Sequence, residues 1–217
     1  MSLKTSIGWT DLTCNPIKGK CKGGCWYCYY SGKRGIANRF KLDSEIRLDL
    51  DVFFKLPKSP KKIFLCSTHD LFGDWIPSWW RYAIFERIES YSQHTFQILT
   101  KFPQNIDRPM PDNVYLGVTI TKNEDIWRRN RLVTTDAKIK FISFEPLLED
   151  LDFTLYQKIN WVIIGCLTGY GHKYDPKLKW IKKIVRNCAD CGIRIFLKDN
   201  LSHIWGNNLI QQIPMED

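Results

Sequence analysis

The sequence predicts an α/β protein with parallel strands, and two observations carry that prediction. Six short apolar runs rich in β-branched and aromatic residues recur along a chain of 217 residues, the pattern of strands buried on both faces. Segments with helical spacing lie between them. Strand–helix alternation implies parallel strands joined by right-handed crossovers, and this many units fit a partial or complete β/α barrel better than a small open sheet. The expectation is a partial (β/α)6-type barrel, with a small open sheet as the alternative. No repeat, low-complexity tract or Gly/Ser/Pro-rich linker divides the chain, so residues 1–217 read as one domain.

The predicted strands are residues 63–66, 96–99, 114–118, 139–142, 161–164 and 193–197. The first helical segment, 77–91, opens with Pro77 and spaces Trp80, Ile84, Phe85 and Ile88 along one face. Residues 123–132 and 178–188 read similarly, and Gly192 stands where a helix ends before a strand begins. Asp43 and Ser44 suit a helix cap, yet residues 45–50 alternate as a strand does, and both readings stay open.

Each apolar run leads into a polar or Gly-containing cluster. These are Ser67, Thr68, His69 and Asp70; Thr100 and Lys101; Thr119 with Thr121, Lys122 and Asn123; Ser143 with Glu145 and Pro146; Gly165 with Thr168 and Gly169; and Lys198 with Asp199. In β/α folds such strand ends share a mouth where active sites sit.

The net charge of +9 favours anionic partners, nucleic acid among them. The basic residues are dispersed: Lys33 and Arg34, residues 55–62, Arg128, Arg129 and Arg131, and residues 177–183. Nine Trp, nine Tyr and twelve Phe supply core and stacking surface alike. No stretch approaches the roughly 20 apolar residues of a membrane helix, and the N-terminal residues have no signal-peptide core. The expectation is a cytoplasmic protein without membrane association, in which eight cysteines act as thiols or metal ligands rather than disulfides.

Cys21, Cys25 and Cys28 form a C-x3-C-x2-C loop, within a candidate cluster-binding segment over residues 14–30. Three thiolates on one short loop suit a metal centre, and a count of three leaves a coordination position for chemistry. A structural zinc site wants four ligands, which Cys14 or the Cys188/Cys191 pair would have to complete. That reading makes the chain a zinc-stabilised nucleic-acid-binding module without catalysis. An iron–sulfur cluster with three thiolates fits the loop directly, with Gly23 and Gly24 letting backbone amides approach its sulfurs. Cys66 and Cys166 read as core residues, Trp79 and Trp80 as a helix pair with one core side, and His94, His172 and His203 as ordinary surface or loop residues. Residues 169–174 read as a candidate substrate loop.

The cysteine loop, with Tyr27 before its last cysteine, resembles the signature of the radical S-adenosylmethionine superfamily. Trp9, Thr10 and Asp11; Asn15 and Pro16; Tyr29; Ser67 and Thr68 with Asp70, Leu71 and Phe72; Leu99, Thr100 and Lys101; Ser143 through Leu147; and Phe196, Leu197 and Lys198 resemble, in that order, a phage- and prokaryote-associated branch of mostly unassigned activity. The chain departs from that branch after Ile164, where Gly165, Cys166, Leu167, Thr168 and Gly169 replace a Gly-Gly-Glu-Ser-Gly tendency. The resemblance implies a radical-SAM-like barrel in which Cys21, Cys25 and Cys28 bind a [4Fe-4S] cluster. The fourth iron would hold S-adenosylmethionine, whose reductive cleavage gives a 5′-deoxyadenosyl radical that abstracts hydrogen from a substrate. It implies roles too: Tyr27 beside the adenine; Ser67, Thr68 and Asp70 at the methionine amino group; Thr119 and Asn123 at the ribose; Glu145 at ribose or substrate; Lys101 and Lys198 facing an anionic substrate, nucleic acid included. An electron donor such as flavodoxin or ferredoxin would complete the system.

Overall fold

The computed structural model describes residues 5–32, 35–152 and 158–214. The basic pair Lys33 and Arg34 lies outside them. The chain forms two compact units, Met1–Tyr115 and Leu116–Asp217, and the boundary falls inside a strand rather than in a linker.

In the first unit, β1 (Leu12–Cys14), β4 (Lys62–Leu65) and β5 (Thr95–Thr100) are neighbours and pair in parallel, Leu12 opposite Ile63 and Lys62 opposite Thr95. A separate antiparallel pair joins β2 (Ile17–Lys18) to β3 (Arg47–Leu48). The short helix α1 (Ile36–Arg39) lies between these two in sequence, and a 3-10 segment, Leu50–Lys55, follows them. The ambiguous 45–50 region is therefore a two-residue strand running into a 3-10 turn. Helix α2 (Ser78–Ser90) has Pro77 just before it, at a position whose missing N–H costs nothing. It buries Trp80, Ile84, Phe85 and Ile88, as their spacing predicts, and leaves Trp79 exposed. His94 is a correction: it is buried between the rings of Tyr91 and Phe96 instead of lying at the surface.

Strand β6 (Val114–Thr119) carries the chain into the second unit. There α3 (Trp127–Val133) precedes β7 (Ile139–Phe144), and β8 (Trp161–Ile164) pairs in parallel with both β7 and β9 (Arg194–Leu197). Helix α4 (Leu178–Asp190) crosses from β8 to β9 with Ile181, Ile184 and Cys188 buried along one stripe. Gly192, at φ +67°, ends it in the left-handed conformation that favours glycine. Helix α5 (Ser202–Trp205) follows β9. Each fully buried Ile or Phe of these strands and helices contributes about 2 kcal/mol by removing apolar surface from water. The α/β class with parallel strands holds in both units.

Candidate functional site

All eight cysteines are free thiols. Cys21, Cys25 and Cys28 are half-buried on a turning loop in which the Cys28 N–H donates to the Cys25 carbonyl at 3.1 Å. Backbone amides face two of the sulfurs: Gly23 N–H reaches Cys21 Sγ at 3.4 Å, and Ser31 N–H reaches Cys28 Sγ at 3.3 Å. A Cβ on Gly23 would touch Cys21 Sγ and the Trp75 ring, both at 3.4 Å. Gly24 has φ +67° with open space where its Cβ would stand, so the loop turns there without filling its own concavity. Burial pushes the Cys21 thiol above its ordinary value, and the N–H groups of Gly23 and Asp70 oppose that shift by favouring the thiolate.

The strand-end loop after β4 is built by hydrogen bonds to its neighbours. Cys66 starts it at φ +56°, a left-handed conformation costing a non-glycine residue about 1 kcal/mol. Its N–H donates to Cys14 at the end of β1. Asn15 Oδ1 then accepts three hydrogen bonds, from Ser67 Oγ (3.1 Å), Thr68 N–H (3.1 Å) and Thr68 Oγ1 (3.2 Å). Asp70 accepts from Thr100 Oγ1 at 2.6 Å and from the Lys101 N–H at 2.7 Å, locking the loop to the end of β5. Burial raises the Asp70 pKa, while the Thr100 hydroxyl and the Lys101 amide pull it down. Beside them His69 is buried, with Nε2 lacking a hydrogen-bond partner. Burial, then the Lys18 charge, lowers its pKa from 6.5 to about 4, so its imidazole is neutral at pH 7.

The cysteine loop and this strand-end loop meet. The Tyr29 hydroxyl donates to the Ser67 carbonyl at 2.8 Å. The Lys101 ammonium stands 5.9 Å from the centre of the Tyr27 ring. Trp75, edge-on to Phe102 at 5.3 Å, walls the Gly23 side. The structure thus gathers Cys21, Cys25, Cys28, Tyr27, Ser67, Thr68, Asp70 and Lys101 within one unit. Asn15 belongs with them as the residue that shapes the loop; in the sequence it stands beside Pro16 among the resembling fragments, with no sign of that role.

In the second unit the expected residues have other neighbours. Thr119 is buried, its Oγ1 without a partner. The Asn123 side chain donates to Glu149 Oε2 and the Asp150 carbonyl and accepts from the Asp152 N–H, pinning the segment after β7. Glu145 forms an ion pair with Lys198. The two follow β7 and β9, with β8 between, and Gly165 at the end of β8 leaves room for the pair: a Cβ there would lie 2.9 Å from Lys198 Cδ. Lys198 therefore meets solvent with its charge already compensated.

Of the remaining cysteines, Cys14, Cys66, Cys166 and Cys188 are buried and Cys191 is half-buried. Cys14 and Cys188 are fully buried, and burial drives both thiols to about 12; Cys166 rises to about 11 for the same reason, with Asp175 adding to it. A buried thiol of such weak acidity behaves as a small apolar side chain. Cys66 and Cys166 are core, as expected.

Fold and site together define an α/β protein with a loop of three free thiols docked on the strand ends of a parallel sheet. The chain belongs to the family described as "Protein of unknown function (DUF5131)", whose model matches residues 4–212. Comparison with curated proteins and with solved structures gives no match.

Proposed function

We propose that this protein is a radical S-adenosylmethionine enzyme in which Cys21, Cys25 and Cys28 hold a [4Fe-4S] cluster and the loop of Ser67, Thr68 and Asp70 receives the methionine end of the cosubstrate. The observation that carries this reading is the meeting of the two loops: the Tyr29 hydroxyl donates to the Ser67 carbonyl at 2.8 Å, and the Lys101 ammonium stands 5.9 Å from the Tyr27 ring. Consecutive parallel strands in each unit support the partial (β/α)6-type barrel of that superfamily.

The donor set fits the group. The three thiols are free and amide N–H groups face two of them, an arrangement that stabilises cluster-bound sulfur. A tetrahedral zinc with bonds near 2.3 Å needs sulfurs about 3.8 Å apart. Among the described residues, these cysteines do not belong to a group of metal-ligating atoms lying within 4.8 Å of one another. A cubane places its three thiolates on separate irons and does not require that close approach.

When bound, such a cluster supplies the electron that cleaves the sulfonium. The protein's part is placement. Asn15 fixes the Ser67 and Thr68 hydroxyls, and Asp70 fixes the loop to β5. Trp75 and Phe102 form an apolar wall that keeps water from the Gly23 side. Neutral His69 adds no positive charge beside the cluster loop. Lys101, beside Tyr27, supplies a cation toward an anionic substrate. Eight free cysteines support a reducing, cytoplasmic setting.

Anaerobic reconstitution tests this. The chain is expected to hold ~4 iron atoms and, on reduction, to convert S-adenosylmethionine to methionine and 5′-deoxyadenosine. The triple variant C21A/C25A/C28A is expected to lose both properties. Undiminished 5′-deoxyadenosine from that variant, or zinc in place of iron in anaerobically purified protein, defeats the proposal; the second result favours the nucleic-acid-binding module.

A further inference from the structure

In the second unit three side chains converge, two of them histidines with the sequence context of ordinary surface or loop residues. His172 lies on the loop after β8, which turns at Gly169 (φ +85°) and Gly171 (φ +59°). Asp175 follows three residues later, its N–H donating to the His172 carbonyl at 3.2 Å. His203 is in α5, just after β9. Because β8 and β9 are adjacent and parallel, the segments leaving their C-terminal ends emerge side by side. His172 Nδ1 lies 2.8 Å from Asp175 Oδ2, His203 Nε2 lies 2.5 Å from the same oxygen, and the two nitrogens are 3.1 Å apart.

We propose that His172, Asp175 and His203 bind one divalent transition-metal ion, zinc by ligand type. Protons satisfy this triangle poorly. If both nitrogens carry hydrogens, two N–H groups crowd on one oxygen; if one does not, its lone pair faces the carboxylate. A single cation accepts all three lone pairs. Tetrahedral zinc with bonds of about 2.0–2.1 Å has ligand edges of about 3.3 Å, so the three atoms need open by only a few tenths of an ångström to a little under 1 Å. The His172 side chain is 77% exposed and free to make that shift. Two imidazoles and a carboxylate suit zinc and its neighbours rather than calcium or magnesium. Three protein ligands leave a fourth position facing solvent, the arrangement of a reactive rather than a closed structural site.

This site is independent of the cysteine loop, and its test removes that loop from competition. The full chain carrying C21A/C25A/C28A is titrated with cobalt(II) and then zinc, alone and with His203→Ala or Asp175→Asn added, with circular dichroism to verify folding. One cobalt is expected to bind with a visible band and no thiolate charge-transfer band, zinc is expected to displace it, and each added substitution is expected to weaken binding by at least ~100-fold, more than the loss of an outer-shell partner. Absence of binding, thiolate bands, or affinity unchanged by His203→Ala and Asp175→Asn overturns the site.

Discussion

The two units differ in what they add to the backbone bonds that hold their strand ends. In Met1–Tyr115 the polar groups after β4 and β5 bind backbone: Asp70 takes the Lys101 amide, Asn15 takes the Thr68 amide, and Tyr29 takes the Ser67 carbonyl. In Leu116–Asp217 such backbone bonds, as from the Thr121 amide to Asp125, are joined by charge pairs, Glu145 with Lys198 and Asp125 with Arg128. Backbone bonding fixes where a loop goes without neutralising a charge. Charge pairing fixes side chains and neutralises them. A preorganised binding loop calls for the first device, and a stable frame is content with the second.

The largest effect that sharpens this contrast is a dependence on pH. His69 folds with a pKa of about 4 against an ordinary 6.5. The unfolded chain therefore binds more protons in that window. The stability His69 contributes is complete above pH 6.5 and is lost as pH falls toward 4, by roughly 3 kcal/mol. Urea unfolding at pH 7 and pH 4.5 should show the loss in the natural chain and a shallower one in His69→Gln; equal slopes would place the buried imidazole in contact with water.

Asp70→Ala comes next. It strands the Thr100 hydroxyl and the Lys101 amide, at a cost of about 2–3 kcal/mol in denaturant unfolding. A loss under half of that would mean the loop is held by Asn15 alone, and the contrast between the units would weaken. The smallest effect belongs to the second unit. Gly165→Ala pushes against the Lys198 stem and opens its pair with Glu145, a half-exposed interaction worth about 1 kcal/mol at most. In a G165A/K198A cycle the two changes should be non-additive by that amount, and additivity would show that the glycine serves another purpose.

Much of the frame was readable from residue order. The runs at 63–66, 96–99 and 139–142 became β4, β5 and β7 within a residue or two, because β-branched and aromatic residues buried on both faces leave a local signature. The Leu12–Cys14 strand did not announce itself: three residues with a central threonine carry no periodicity. The Ile17–Lys18 and Arg47–Leu48 pair is held by tertiary contact, with no hairpin turn to betray it. Within the site, the cysteine spacing marked its loop because its meaning is local. His172 and His203 were passed over because 31 residues separate them and only the pairing of β8 with β9 joins them. Gly165 likewise looked like a strand-end glycine, and its use depends on two side chains from neighbouring strands.

The backbone at Cys66 carries a consequence for evolutionary drift. A left-handed angle at the first residue past β4 excludes valine, isoleucine and threonine there, whatever their fit to the apolar surroundings. Natural variants should therefore exchange this cysteine for glycine or asparagine before any bulkier aliphatic residue.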